Sequence, residues 1–353
     1  MDRTELAAAF RTQADWCQKL GSPLYYDLLK RAAADVDAGG LCWTVLEPHV
    51  SDPSPAVLPL RFMGGIHRAV LEGRAPELAR YYPSVGGTAA QGDQLWRAFL
   101  ETAREKVPES VQTNEVGRCC ALLPGFIEIS RASPFPLRLL EIGASGGLNL
   151  RWDRYRFATA TGVWGDPDSW VRFEVPLDPG PLPSTPRVSV RRGCDLIPVD
   201  ISNESGKLTL LSFIWPDQTK RLELMREALE IAQQVPATVE QADAIDWITR
   251  ELSHPVSGCM TAVFHSIVML YLDAPKRAVF SEILAEAGSR ATPDAPLAWL
   301  SMERAEEAGA SDTAIHLTLW PGGVRRQVAG AGFHGQEVRL ISGNREQPGG
   351  VSC

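Results

Sequence analysis

The feature that most constrains this chain is the run Leu137-Arg138-Leu139-Leu140-Glu141-Ile142, which passes directly into Gly143-Ala144-Ser145-Gly146-Gly147. Pro134-Phe135-Pro136 breaks the preceding helix-like pattern, so the apolar run reads as the first parallel strand of a sheet. A strand ending in an acid, then a glycine-dense turn, then Leu148-Asn149-Leu150 lets backbone approach a ligand closely at a helix N-terminus. Something polar is expected there.

Downstream the pattern alternates in α/β order. Strands are predicted over 187–192, 237–241, 261–265 and 296–302, and helices over 219–234, 244–252 and 277–287. Residues 315–320 and 337–341 are predicted as a terminal antiparallel pair. Upstream, Leu6, Phe10, Ala14 and Cys17 share one helical face, and Ser22-Pro23 caps a second helix carrying Leu24, Leu28, Ala32 and Val36. Further helices are expected over 60–71, 95–107 and 114–129. The domain expectation is a helical domain over 1–112 and an α/β domain over 113–353.

Composition excludes several classes. A net charge of -8 with no long Lys/Arg run gives no footprint for a nucleic-acid backbone, and a small-molecule substrate is expected instead. The 7 cysteines, among them Cys353, are odd in number and lack Cys-x-x-Cys or Cys/His metal spacing, so they read as reduced thiols in a cytoplasmic protein with no metal. No apolar run approaches the ~20 residues of a membrane span.

The loop string by itself fits three chemistries. Leu139 to Gly147 resembles the acid-x-Gly-x-Gly-x-Gly signature of the class I S-adenosylmethionine-dependent methyltransferases, with Glu141, Gly143 and Gly147 matching and Ser145 departing. The same string resembles the nucleotide loop of short-chain dehydrogenases, though Asn149 replaces the last glycine and the Tyr26/Lys30 pair lies far upstream. It also satisfies the Gly-x-Ser-x-Gly elbow of serine hydrolases, with Ser145 as nucleophile and His316 or His334 as partners.

The methyltransferase resemblance implies a Rossmann-like, mostly parallel sheet with an antiparallel last strand, and S-adenosylmethionine bound by Glu141, Gly143, Ala144, Ser145, Gly146 and Gly147. It further implies Asp195, ending the second strand, as the acid for the ribose hydroxyls, and Asp243 with Ala244, after the third strand, for the adenine edge. About 50 residues separate the loop from Asp195, against ~20 in a nucleotide-binding βαβ unit. An insertion over about 151–186, with Trp152, Tyr155, Trp164 and Trp170, is therefore expected as a possible lid.

His265, at the end of the fourth strand, is the candidate general base, with a hydrogen-bonded structural histidine as the alternative. Asn114, Glu115, Arg118, Trp152, Tyr155 and Asp217 are the candidate substrate contacts. Asp217 is alternatively a helix cap, the aromatics alternatively core, and Asn114, Glu115 and Arg118 alternatively the solvated start of a helix. His67 reads as a packing residue and Arg191-Arg192 as a solvated pair. Over nearly its whole length the chain also resembles one bacterial family of domains of unknown function, through Gln112 to Arg118, the glycine loop, Trp164-Gly165-Asp166-Pro167, Trp215-Pro216-Asp217-Gln218 and Trp320-Pro321-Gly322-Gly323.

Overall fold

The first two helices begin where the sequence offers caps. In the computed structural model, which describes residues 1–52, 57–105, 107–305 and 312–341, Asp2 and Glu5 bond each other's backbone amides at 2.8 Å at the head of α1 (Arg3–Lys19). Ser22 then caps α2 (Pro23–Asp37), whose first residue is the expected proline. The chain continues through α3 (Leu41–Leu46), α4 (Leu58–Leu71), α5 (Pro76–Ala79), α6 (Asp93–Thr102) and α7 (Arg118–Ala132). Cys353 lies outside the described residues.

The first sheet strand β1 (Leu137–Ile142) follows, then β2 (Arg156–Thr159), β3 (Gly162–Gly165), β4 (Arg172–Glu174) and β5 (Val188–Asp195). Next come α8 (Glu204–Ser212), α9 (Thr219–Gln234), β6 (Thr238–Gln241), α10 (Ala244–Glu251), β7 (Met260–Ser266) and α11 (Ala274–Ser289). The chain ends with β8 (Leu297–Arg304), β9 (Asp312–Trp320), β10 (Val324–Gly332) and β11 (Arg339–Leu340).

Two compact units result. The first comprises Met1–Thr113 together with Val199–Arg226, so α8 and the start of α9 belong with the N-terminal helices rather than with the sheet. Its core contains Phe10, Phe62, Phe99 and Trp215, with Phe62 and Phe99 edge to face at 5.8 Å. Truncating one such ring to alanine costs about 3–5 kcal/mol.

The second unit, Asn114–Pro198 with Glu227–Cys353, carries an eight-stranded sheet in the order β11-β10-β9-β8-β7-β1-β5-β6. Strands β6, β5, β1, β7 and β8 run parallel, whereas β9, β10 and β11 extend the sheet as an antiparallel meander. The terminal antiparallel pair expected over 315–320 and 337–341 is thus three strands, with β10 between its members. Val324–Gly332 escapes the sequence pattern because its first half is charged and exposed and its second half is Ala-Gly-Ala-Gly. It pairs with β9 nonetheless.

The connection from β1 to β5 departs further from expectation. Among the described residues it holds no α-helix: the glycine turn leads into a 3-10 segment, Leu148–Arg154, and then into a separate three-stranded sheet, β3-β2-β4. The predicted insertion is therefore a small β layer. Trp152 stacks between Phe126 at 4.2 Å and Trp164 at 5.1 Å, and all three rings are buried, so Trp152 and Trp164 serve as core where a lid or pocket wall was expected. Trp170 is exposed.

Candidate functional site at the sheet switch point

From β1 the chain crosses to β5 on one side, and β7 lies on the other. Loops leaving the carboxyl ends of β1 and β7 therefore diverge, which in an open α/β sheet opens a crevice for ligands. The residues around that point are held by backbone bonding. Ala144 donates its N–H to the Cys194 carbonyl at 3.0 Å, and Ser145 donates its N–H to Asp195 Oδ2 at 2.9 Å. Asp195 Oδ1 accepts the Ile197 N–H at 3.0 Å, and the Asp195 carbonyl accepts from Ala242. Asp195 is thus a clasp joining the glycine loop to the loops after β5 and β6.

The loop's conformation explains its composition. Gly143 and Gly147 have φ of 67° and 70°, and Ser145 has φ of 50°, in a region that side-chain-bearing residues seldom occupy. A Cβ on Gly143 would lie 2.6 Å from Val268 Cγ2, and one on Gly147 2.9 Å from Val239 Cγ2. Ile267, across the crevice, has φ of 56°, a strained setting for a β-branched residue. Left-handed backbone therefore occurs on both sides of the switch point.

Beneath the loop, Glu141 is only 2% exposed, and its Oε2 has no hydrogen-bond partner. Burial pushes its carboxyl well above the usual range; Arg151 opposes this, Asp195 adds to it, and the Asn149 hydrogen bond and Arg118 oppose it. The Arg151 donors are committed to carbonyls, Nε to Val235 at 2.8 Å and Nη1 to Gly147 at 2.6 Å. Asn149 Oδ1 accepts from the Cys119 thiol at 3.2 Å, Tyr155 donates its hydroxyl to the Leu148 carbonyl at 2.7 Å, and Asn114 Oδ1 accepts the Leu148 N–H at 2.9 Å.

On the β7 side, His265 lies in the parallel register opposite Ile142, and both its ring nitrogens are engaged. Trp299 donates its indole N–H to Nε2 at 3.0 Å, so in the neutral ring the proton sits on Nδ1, which faces Glu303 Oε1 at 2.7 Å. Glu303 also accepts the Val268 and Met269 amides at 2.9 and 3.3 Å. His265 and Glu303 together fix the loop that carries Ile267 and Val268. The bonding is that of the structural histidine and leaves neither ring nitrogen for a substrate proton.

Arg118, at the start of α7, donates to the carbonyls of Phe333 and Ser266 at 3.1 and 3.2 Å and so bridges the β10 and β7 ends. Leu270 and Tyr271 after β7, and Leu196 and Ile197 after β5, are exposed apolar residues in the loops around the crevice. Tyr271 is half exposed, and partial burial raises its pKa, with Arg118 lowering it and Asp195 raising it. Its phenol therefore senses both charges.

Of the residues singled out in sequence, Glu141, Gly143, Ala144, Ser145, Gly146, Gly147 and Asp195 share the loop and strand ends described. Asp243 caps α10, accepting the Ile245 N–H at 2.8 Å, and Ala244 is the first residue of that helix. Asn114 and Glu115 are buried ahead of α7, whose first residue is Arg118, because the Asn114 side chain bonds Leu148 instead of starting the helix. Tyr155 is buried with its hydroxyl on backbone.

Asp217 is elsewhere. In the first unit it accepts the Ser22 hydroxyl at 2.6 Å and the Leu24 amide at 3.0 Å, which makes it a second cap on α2 in place of a substrate ligand. His67 is buried between the Ser212 carbonyl and the Ser84 hydroxyl, as a packing residue. Arg191 is not solvated: it grips Asp153 with two bonds of 2.5 and 2.7 Å. Val268, Glu303 and Tyr271 went unremarked in the sequence because no motif announces them; the left-handed backbone of Ile267 beside Val268 is visible only in three dimensions.

Fold and strand order together define a mixed α/β protein with a switch point at the carboxyl ends of β1 and β7 in its mostly parallel sheet. The chain belongs to the family described as "Uncharacterized protein conserved in bacteria (DUF2332)", which it matches over residues 7–339. No curated protein and no solved structure matches it. Among the described residues no helix is long and apolar enough to cross a membrane, and no group of three or more His, Cys, Asp or Glu is placed to hold a metal ion.

Proposed function

We propose that the sheet unit binds S-adenosylmethionine at the switch point and transfers its methyl group to a small molecule, on a class I methyltransferase-like variant of the fold. One observation carries the reading. The acids Glu141, Asp195 and Asp243 fall at or just after the carboxyl ends of the adjacent strands β1, β5 and β6, in an order that runs outward from a glycine turn clasped by Asp195. Each Asp195 oxygen accepts one backbone amide and keeps capacity for a further donor, as a ribose hydroxyl requires. The partnerless Glu141 Oε2 suits a ligand donor.

A bound sulfonium supplies an activated methyl group. The chain's part is to orient the acceptor and exclude water, since methyl transfer rests on alignment with the sulfonium. That agrees with His265 being spent on holding the Val268 loop. Arg118, Leu270 and Tyr271 are assigned to the acceptor side. Isothermal titration with S-adenosylmethionine and S-adenosylhomocysteine tests the reading. Binding is expected to weaken at least tenfold in Asp195→Ala, and failure of both ligands to bind at millimolar concentration would overturn it.

A second reading, hydrolysis through Ser145, is favoured by the left-handed backbone of that residue, as in a nucleophile elbow. The 3-10 segment that follows, in place of a helix, speaks against it. Labelling of the wild type by a fluorophosphonate, lost in Ser145→Ala, would establish it.

A further inference from the structure

The loop after β7 is uncharged over its whole exposed length. Ile267-Val268-Met269-Leu270-Tyr271-Leu272 holds no charged side chain, and Leu270 and Tyr271 are 56% and 52% exposed. Across β1, the loop after β5 opens with Leu196 and Ile197, exposed as well. Two strand spacings, roughly 10 Å, separate the roots of these loops, which leaves room for one small ring. Apolar side chains held in water on both sides of a switch point mark a surface that an uncharged ligand covers.

The bases at the same strand ends are spent on the fold. His265 has Nε2 on the Trp299 indole and Nδ1 on Glu303, and Glu303 holds two amides besides. Both Asp195 oxygens accept amides, Asp243 caps α10 with Lys276 at 3.7 Å, and Asp273 caps α11 through the Lys276 amide at 2.8 Å. Glu141 lies beneath the glycine loop, and Glu115 is buried with the Gly117 amide on its Oε1. Arg118 is a cation, and the Tyr271 phenol keeps its proton because burial raises its pKa. An acceptor at this loop must therefore bring a nucleophile that needs no help. At pH 7 an ordinary thiol is about 3% thiolate, whereas a phenol is ionised, or an alkyl amine unprotonated, to about 0.1% or less. Sulfur is also intrinsically very nucleophilic. A carboxylate is ionised already, but would lose its hydration against an uncharged wall.

We propose that the methyl acceptor is a small, uncharged apolar thiol that ionises unaided, seated against Leu270 and Tyr271. The inference rests on the cofactor reading above. The thiol releases its proton to solvent, and the thiolate sulfur bonds to the methyl carbon as the methyl–sulfonium bond breaks, with the electron pair of that bond staying on the departing sulfur. A neutral methyl thioether and S-adenosylhomocysteine are the products.

Two measurements on the full chain test this. In calorimetry with S-adenosylhomocysteine present, benzyl methyl sulfide should bind at least tenfold more tightly than benzylammonium or phenylacetate, and Leu270→Asp should weaken the sulfide at least tenfold. Retained binding of S-adenosylhomocysteine shows that this variant folds. With labelled S-adenosylmethionine, phenylmethanethiol and thiophenol should be methylated, and benzylamine, phenol and phenylacetate should not. The pH profile should follow the acceptor, levelling off at lower pH for the more acidic thiophenol. His334→Gln, in the turn where Arg118 bonds the Phe333 carbonyl, should leave both profiles in place. Equal binding of sulfide and charged congeners, one pH profile shared by both thiols, a profile lost in His334→Gln, or no thiol methylated by a chain that binds S-adenosylhomocysteine would overturn the inference and leave the cofactor reading intact. If S-adenosylmethionine and S-adenosylhomocysteine both fail to bind, the cofactor reading fails and the inference falls with it.

Discussion

Placing one methyl group at the switch point tests whether the glycine loop is as rigid as its bonding implies. In Gly143→Ala the new Cβ has two separate costs. The backbone at φ 67° is left-handed, which costs an L-residue about 1–2 kcal/mol. The Cβ also lies 2.6 Å from Val268 Cγ2, well inside ordinary contact, and overpacking of this kind costs about 1–3 kcal/mol. Val268 has little freedom to retreat, because its amide is bonded to Glu303 and its side chain packs on the core of the sheet unit. The single substitution should therefore destabilise by about 2–5 kcal/mol. Val268→Ala removes the opposing methyl groups at a cost of about 1 kcal/mol for a half-buried side chain, and in the double variant only the backbone cost of Gly143→Ala should remain. Urea unfolding of the four proteins, followed by tryptophan fluorescence, measures the coupling, expected at about 1–3 kcal/mol in favour of the double variant. Additivity within about 0.5 kcal/mol would mean that the two loops do not press on each other, and the argument for a rigid crevice wall would be lost.

Three more outcomes are expected. Burial lowers His67 from 6.5 to about 4, so between those values the unfolded chain takes up a proton that the folded chain refuses. Stability should fall as pH drops through that window, by up to about 3 kcal/mol, and His67→Gln should flatten the profile of urea midpoints; equal slopes would count against it. Asp153→Ala leaves Arg191, whose side chain is 7% exposed, without its partner, and should destabilise by about 3–5 kcal/mol in thermal melts, whereas a loss below about 1 kcal/mol would mark the pair as a solvated one. Glu303→Gln keeps one carbonyl oxygen where the carboxylate serves two amides and an imidazole. Faster deuterium exchange at Val268 and Met269 is the expected result, and unchanged rates would remove Glu303 from its role.

Much of this architecture was legible in the sequence because the signals were local. Leu6, Phe10, Ala14 and Cys17 face the core of α1 at the spacing a helix demands, and Ser22-Pro23 caps α2. The run from Leu137 to Ile142 is a buried strand with parallel neighbours on both sides. What failed was non-local. Asp217 sits ahead of α9 in the chain, but Ser22 and Leu24, nearly two hundred residues earlier, are what it bonds. The turn after Gly147 had the look of a helix start, yet Asn114 takes the Leu148 amide and Tyr155 the Leu148 carbonyl, diverting the chain into a 3-10 segment. His265 was placed correctly at a strand end, and its bonding to Trp299 and Glu303, one from mid-β8 and one near that strand's end, lay beyond any pattern of spacing.

Among the described residues no α-helix lies between β1 and β5, and this limits what the glycine turn can offer an anion. In dinucleotide-binding sheets, the helix that follows the glycine turn places roughly half a positive charge, with free amides, against a pyrophosphate. Here the amides of Ala144, Ser145 and Gly147 are already bonded within the protein, and a short 3-10 turn contributes little dipole. A diphosphate would meet the Asp195 carboxylate with no such compensation. The path the chain takes after Gly147 thus offers a pyrophosphate neither a helix dipole nor the amides of Ala144, Ser145 and Gly147.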